Sequence, residues 1–340
     1  MIDLRSLDFN ELQAELAHFN WPSFRAKQVF GWLQVRGVRG AQDMTNLPKE
    51  IRSVLEAQCF ISACEIARKQ VSQDGTVKYL FRLHDGEMIE SVVINYEHGR
   101  SICVSSQAGC RMGCVFCASG AGGCARNLLP GEMLAQVTQA QNDMGERISH
   151  IVLMGMGEPL DNYDNVLKFI KLVSNPKGLN ISQRRISFST CGIMPRIDQL
   201  ANERLGITLS VSLHAANDAL RTQLMPINRT YPLKELMRAC KNYAARTSRR
   251  ISFEYAMLRG INDSAKHANE LASLLKGMLC HVNLIPINEM RGISRSDKAT
   301  IQAFQELLAQ KGIACTIRRS LGQDISAACG QLRSQNILPS

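Results

Sequence analysis

The 340 residues contain no run of about 18 consecutive apolar residues, which excludes a membrane-spanning helix of ordinary length. The opening MIDLRSLDFNELQAEL mixes acids among its apolar positions and lacks the unbroken apolar stretch of a secretory leader. No segment repeats with a period of roughly 20–50 residues, so a solenoid is excluded, and no low-complexity tract interrupts the chain. With 45% hydrophobic and only 21% charged residues, the composition is that of a folded enzyme and not of a disordered chain. A cytosolic location follows as the expectation. There, twelve cysteines read as thiols, metal ligands or catalytic groups and not as a disulfide framework.

A second shortage is local. The stretch CRMGCVFC places Cys110, Cys114 and Cys117 within eight residues, one cysteine short of the four ligands of a structural zinc or ordinary iron–sulfur site. Its C-x3-C-x2-C spacing fits neither zinc-finger pairs nor ferredoxin runs. Three thiolates on a four-iron cluster would leave one iron open to a small molecule through an amine and a carboxylate. A zinc site completed by Cys103 or Cys124 is the competing reading of the same residues.

The formal net charge is +10, which favours polyanionic partners such as RNA. Residues 1–60 are balanced. The excess gathers later, in Arg184-Arg185, Arg246, Arg249-Arg250 and Arg318-Arg319. These pairs fall near the ends of expected strands, from which side chains would reach a shared rim.

Along the chain, FNELQAELAHF and FRAKQVFGWLQV carry apolar residues at helical spacing, with Pro22 and Pro48 at helix starts. VKYLFRL and MIESVVINY, separated by HDGE, read as a β-hairpin. From about residue 100 short apolar strands alternate with amphipathic segments near 130–144, 164–173, 195–203, 232–246, 265–276 and 298–310. Six or seven such units argue for parallel strands with right-handed crossovers, as a doubly wound sheet or a complete or partial barrel. Either way, chemistry belongs at the C-terminal strand ends. The polar motifs sit there: GEP after HIVLMGM, Ser189 in RISFST, His214 after LSVSL and Asn288 after HVNLIP.

A cysteine triad after the first strand of a βα series resembles the signature of radical S-adenosylmethionine (SAM) enzymes. The segments CVSSQAGCRMGCVFCASGAGGCARNL, MGMGEPLDNYDNV, RRISFSTCGIMP, LSVSLHA, LMPINRTYPL, FEYAML, HVNLIP and TIRRSLGQDISAACGQLR resemble the RlmN/Cfr methyltransferases, over residues 20–335. The resemblance implies a partial (β/α)6 barrel in residues 98–340, a helical accessory domain in 1–60 and a β-hairpin extension in 61–97. It also implies a [4Fe–4S] cluster on Cys110, Cys114 and Cys117, and two SAM molecules per turnover. One methylates Cys329. The other yields a 5′-deoxyadenosyl radical that takes hydrogen from the methylated cysteine, whose carbon then adds to adenine.

Cys103 would then release the product by forming a disulfide, and Glu90 would remove the C2 proton. An apolar setting for Glu90, between Ile89 and Val92-Val93, would suit that role. Gly157, Glu158, Ser189, Ser212, Leu213, His214 and Asn288 match the SAM contacts. GMGEP and NLIPIN resemble the branch that methylates C2; in the C8 (Cfr) branch Ala follows the Glu and Arg replaces Pro286. The implied target is an adenosine at the peptidyl-transferase centre of 23S rRNA, with the adenosine 3′ of a tRNA anticodon as a further one. An electron donor such as flavodoxin, a monomeric state and no membrane partner complete these expectations. A zinc-stabilised RNA-binding module and a radical SAM enzyme acting on a small molecule or peptide stand as alternatives.

Overall fold

The computed structural model describes residues 1–287 and 292–327. At its start β1 (Ile2–Asp3) pairs in parallel with β2 (Cys59–Phe60), and three helices lie between them: α1 (Phe9–Ala17), α2 (Phe24–Gly31) and α3 (Lys49–Gln58). Asp8 opens α1 through a reciprocal cap: its carboxylate accepts the Asn10 and Glu11 amides, and the Glu11 carboxylate accepts the Asp8 amide. Leu12, Leu16, Val29, Phe30, Leu33 and Leu55 close a small core separate from the main one. The buried Arg5 donates to the carbonyls of Val38, within this unit, and Ser62, just beyond it, while Gln139 and Asn142 join it to the rest by donating to the carbonyls of Gly37 (2.7 Å) and Arg36 (2.8 Å).

Next come β3 (Cys64–Val71), β4 (Val77–Leu83) and β5 (Met88–Tyr96), antiparallel to one another, then β6 (Gly99–Cys103), antiparallel to β5. The expected hairpin is therefore three strands, continuous with the barrel sheet. Sequence reading missed β3 because CEIARKQV is an edge strand, mostly exposed and polar, with little apolar alternation.

A small hairpin, β7 (Gln107–Gly109) with β8 (Cys124–Asn127), precedes the βα series. The series runs α4 (Pro130–Met144), β9 (Ile148–Leu153), α5 (Tyr163–Val173), β10 (Ile186–Thr190), α6 (Met194–Asn202) and β11 (Thr208–Ser212). It continues with α7 (Asp218–Leu224), α8 (Leu233–Thr247), β12 (Ile251–Met257), α9 (Ala265–Leu275), β13 (Cys280–Pro286), α10 (Lys298–Gln310) and β14 (Cys315–Ile317). The six helices expected from residue 130 onward are present to within a residue, and the one expected over 24–35 is α-helical to Gly31 and continues as a π-helical turn over Trp32–Arg36; α7, only seven residues long, offers too little periodicity to read. The ten-stranded sheet has the order β14-β13-β12-β11-β10-β9-β6-β5-β4-β3, with β6 and β9 to β14 all parallel. This is the partial barrel of a radical SAM fold, its seven parallel strands at the upper end of the six or seven units expected. β12 is buried at all seven positions, as a central strand covered on both faces must be. Among the described residues no helix is long and apolar enough to cross a membrane.

Candidate active site

Parallel strands all point their C-terminal ends the same way, and there a cleft of about 850 Å³, counting its open mouth, is lined by Cys110, Cys114 and Cys117. The loop that carries them leaves β7 at Gly109, whose φ is 94°, and turns again at Gly113, φ 68°, conformations that glycine adopts without strain. The Cys110 amide donates to the Gly123 carbonyl (2.8 Å), and the Val115 amide donates to the Leu224 carbonyl (3.1 Å), so hairpin and α7 hold the loop from both sides. Burial pushes the Cys110 thiol up to about 12 and the Cys114 thiol further, and the neighbouring Cys117 adds to both.

Among the described residues no three His, Cys, Asp or Glu side chains are gathered tightly enough for a single ion. Tetrahedral zinc needs its sulfurs at about 2.3 Å from one point. A four-iron cluster is a larger body whose thiolates stand further apart, and three thiols around one cleft fit it. Neither cysteine that the zinc reading would add lines the cleft, although Cys124 stands close beside the loop and Cys191, just after β10, does line it. Cys124 sits on β8 with its Sγ 3.7 Å from the Arg126 carbonyl, and Cys103 lines a neighbouring cavity.

Gly157, Glu158, Ser189, Ser212 and His214 line the same cleft. Gly157 has φ 106°, and a Cβ there would lie 2.7–2.8 Å from Gln107 and Ser106, so only glycine lets the loop after β9 cross so close. The Glu158 carboxylate accepts the amides of Cys191 (2.7 Å) and Leu160 (3.0 Å), tying the ends of β9 and β10 together. Burial raises its pKa, and these hydrogen bonds only partly oppose the rise. Leu213 is fully buried and does not line the cleft; its carbonyl accepts Arg221 Nε (3.2 Å). Asn288 and Cys329 lie outside the described residues.

His214 stands at φ 58°, with Nδ1 accepting the Ala256 amide (2.9 Å) and the ring edge-on to Phe116 (4.6 Å). That acceptor role places the proton on Nε2 and gives the cleft a neutral donor. Burial, reinforced by Arg221, holds His214 down at about 3, against 6.5 ordinarily. The unfolded chain therefore takes up this proton first as pH falls. Stability is complete above about 6.5 and is lost at about 1.4 kcal/mol per pH unit down towards 3. Urea denaturation between pH 6.5 and 4.5 should show a steeper fall for the natural chain than for His214→Asn, whose Oδ1 can still accept the Ala256 amide.

Glu90 is buried, but the expected apolar setting needs correction, because Lys78 Nζ lies 3.2 Å from its Oε1. Its neighbourhood follows from strand register. Val92 on β5 pairs with both Lys78 on β4 and Cys103 on β6, so Lys78, Glu90, Val92 and Cys103 share one sheet face. Cys103 lines a second cavity with Val92, and Met154, Ile285 and Arg318 border both this cavity and the cleft. Ala327, the last residue described before Cys329, lines the second cavity too. The chain reaches that point under a clamp. Asp324 accepts Ser72 Oγ (2.5 Å) and the Gln73 amide (3.1 Å), Asp74 accepts the Gly322 amide (2.7 Å), and Lys78 donates to the Ser326 carbonyl (3.3 Å).

Three contributors escaped the sequence reading. Arg221, fully buried, donates to the carbonyls of Cys191 (2.7 Å), Ser212 (3.2 Å) and Leu213 and to Asn228 Oδ1 (2.8 Å). Gln107 accepts the Glu158 amide (2.8 Å). Glu254, opposite Ser212 in register, accepts Asn283 Nδ2 at one oxygen; its other oxygen has no hydrogen-bond partner among the described residues, and the side chain lines the cleft. The available signal was FEYAML itself, a charge inside a mostly apolar strand.

The expected rim of arginines is divided by the topology. Arg184-Arg185 and Arg249-Arg250 precede β10 and β12, at the pole opposite the cleft; only Arg318-Arg319 follow a strand, Arg318 lining the cleft and both lining the neighbouring cavity.

The βα array and the loop that brings Cys110, Cys114 and Cys117 to its cleft define the class, a radical SAM enzyme. Residues 104–272 match the Radical SAM superfamily, and residues 2–61 match the ribosomal RNA large subunit methyltransferase N-terminal domain. Two relatives named as probable dual-specificity RNA methyltransferases RlmN are similar over nearly the whole chain. The one from Thermoanaerobacter sp. (strain X514) is 50% identical over 336 residues, 98% of each chain. The one from Pelotomaculum thermopropionicum is 52% identical over 98% of this chain and 91% of its own. A crystal structure of a radical SAM methyltransferase from Sphaerobacter thermophilus superposes with a TM-score of 0.94 at 43% identity, covering 98% of this chain and 99% of that one. The chain belongs to the RlmN family of radical SAM RNA methyltransferases. Its cofactors are accordingly a [4Fe–4S] cluster and SAM, with Cys110, Cys114 and Cys117 as the thiols that fit the cluster.

Proposed function

We propose that the enzyme methylates C2 of an adenosine at the peptidyl-transferase centre of 23S rRNA, and the adenosine 3′ of the anticodon in tRNA. The methyl group passes through Cys329, and a transient disulfide with Cys103 frees the product. The observation that carries this reading is the shared face of Glu90 and Cys103, beside the cofactor cleft, with Ala327 against the same cavity. When bound, cluster and SAM supply the hydrogen-abstracting radical that an electron-poor ring carbon requires. The chain's own groups do the rest: Cys329 carries the methyl carbon, Glu90 takes the C2 proton, and Cys103 attacks Cys329. Lys78 supplies the counter-charge beside Glu90 and anchors the Ser326 carbonyl, so base and carrier segment are placed by one side chain.

A separate apolar core supports residues 1–60 as an accessory domain, with 61–97 as the extension and 98–340 as the catalytic core. Its surface suits RNA better than its balanced charge suggests. Phe24 is exposed beneath Arg25, and Arg36 covers the Trp32 ring at 4.2 Å, so rings and guanidinium groups that can stack on bases stand together. A cytoplasmic monomer reduced by a flavodoxin-like donor completes the proposal.

Mass spectrometry of nucleosides from cells lacking the gene tests substrate and atom together. Loss of 2-methyladenosine from both rRNA and tRNA is expected, and 8-methyladenosine would place the enzyme in the other branch. With purified protein, Glu90→Gln should reduce 2-methyladenosine formation ~10²–10⁴-fold while leaving methyl loading of Cys329 intact. Full turnover by that variant would remove Glu90 from its role.

A further inference from the structure

We propose that the pole of the barrel opposite the cleft is a second RNA contact, which binds the phosphate backbone of an RNA large enough to reach both poles. Arg147, Arg184, Arg185, Arg204, Arg246 and Arg250 are all exposed, in the segments that lead into β9, β10, β11 and β12. No ion pair of theirs is found among the described residues.

Contacts between successive segments make the patch continuous. Arg147 donates to the carbonyls of Leu179 and Asn180, Gln183 accepts the Gly206 amide, and Arg249 donates to the Ile207 carbonyl. The acids in these segments do not balance it: Glu146 is paired with Arg100, and Glu203, beside Tyr163, sets one negative charge against six arginines. Neighbouring strands lie about 4.8 Å apart, so the arginines from β9 to β12 spread over roughly 15 Å, enough for several phosphates.

Charge this concentrated fits a polyanion, and placement excludes the other acidic candidate. The strands are five to seven residues long, so at about 3.3 Å per residue they hold the poles some 15–25 Å apart. An acidic electron-donating protein on this pole would be separated from the cluster loop by the whole barrel, a poor path for electron transfer. An RNA suffers no such limit, since it can place one base in the cleft while a distant helix lies along the far side. The inference rests on RNA as the substrate class and not on which atom is methylated.

The test compares the natural holoenzyme with Arg184→Gln/Arg185→Gln/Arg250→Gln. Two probes are used: an rRNA transcript of several hundred nucleotides containing the target adenosine, and a hairpin of about twenty nucleotides around the same adenosine. Filter binding at several salt concentrations reads affinity directly. For the long transcript the variant should lose about tenfold or more at ~0.1 M salt, and its log–log salt slope should shrink by about 2–3. Hairpin affinity and reductive SAM fragmentation should not change. The triple Lys variant, which keeps the charge, should restore the natural slope. Equal affinity and slope on the long transcript would overturn the inference, as would equal losses on both RNAs or a Lys variant as weak as the Gln one. Slower reduction by an acidic flavoprotein with unaltered RNA binding would assign the pole to the donor instead. Product formation is not a readout, so a wrong methylation site would leave this outcome intact.

Discussion

Replacing Cys114 with alanine is expected to strip iron from the protein, bleach its visible absorption and reduce SAM fragmentation to background. Folding should be nearly unaffected. The Cys114 thiol is small, and burial keeps it protonated in the metal-free chain, so nothing charged is lost when it goes. Its worth lies in the iron–sulfur bond, formed only as the proton leaves. The triad loop carries three thiols and no fourth, so on this reading no ligand is spare. A cluster held by two would be lost during purification. The informative controls are Cys124→Ala and Cys191→Ala. Cys191 lines the same cleft as the triad, and Cys124 sits beside the loop with its backbone paired to Gly109. If either supplied a fourth thiolate, its removal would cost iron; both variants should keep a full iron complement by colorimetric assay. Loss of iron in one of them would mean that the corner needed by SAM is closed.

Arg221→Met should cost about 3–5 kcal/mol of folding stability, far more than an ordinary surface change. The guanidinium carries its charge at full burial, where desolvation lowers its pKa, and it survives there because its donors meet three carbonyls and the Asn228 amide oxygen. Methionine fills much of the volume but leaves those acceptors without partners in a dry site. Relief of the buried charge offsets part of the loss, which is why the figure is not larger. The carbonyls belong to Cys191, Ser212 and Leu213, at the ends of β10 and β11. SAM affinity should therefore fall at least tenfold even where the variant is still folded. Arg221→Lys, with one nitrogen for several acceptors, should lie between. Urea denaturation and SAM binding by equilibrium dialysis measure the two effects separately. Unchanged SAM affinity with reduced stability would confine Arg221 to the core.

Much of the site was legible because its chemistry is carried by short motifs at strand ends. The triad, Gly157-Glu158, Ser189, Ser212 and His214 all line one cleft, as strand-end placement implied. Leu213 belonged to the right motif but turns its side chain inward. Arg221 was illegible: a lone arginine in a seven-residue helix looks like a solvated charge until the helix folds back over two strand ends. Glu90 was half legible. Its motif singled it out, whereas Lys78 came beside it only through pairing between β4 and β5.

The basic residues show most clearly where sequence stops. Composition and motif spacing by themselves determined a βα array, a cleft at the C-terminal strand ends and three thiols within it, because strand polarity and ligand spacing are local properties. Which pole each arginine pair occupies depends on whether it precedes or follows a parallel strand, and which residues face one another depends on register between strands distant in sequence. Only the folded sheet sets those relations. It placed Glu90 and Cys103 on one face, and it carried most of the arginine pairs away from the cleft they had been expected to surround.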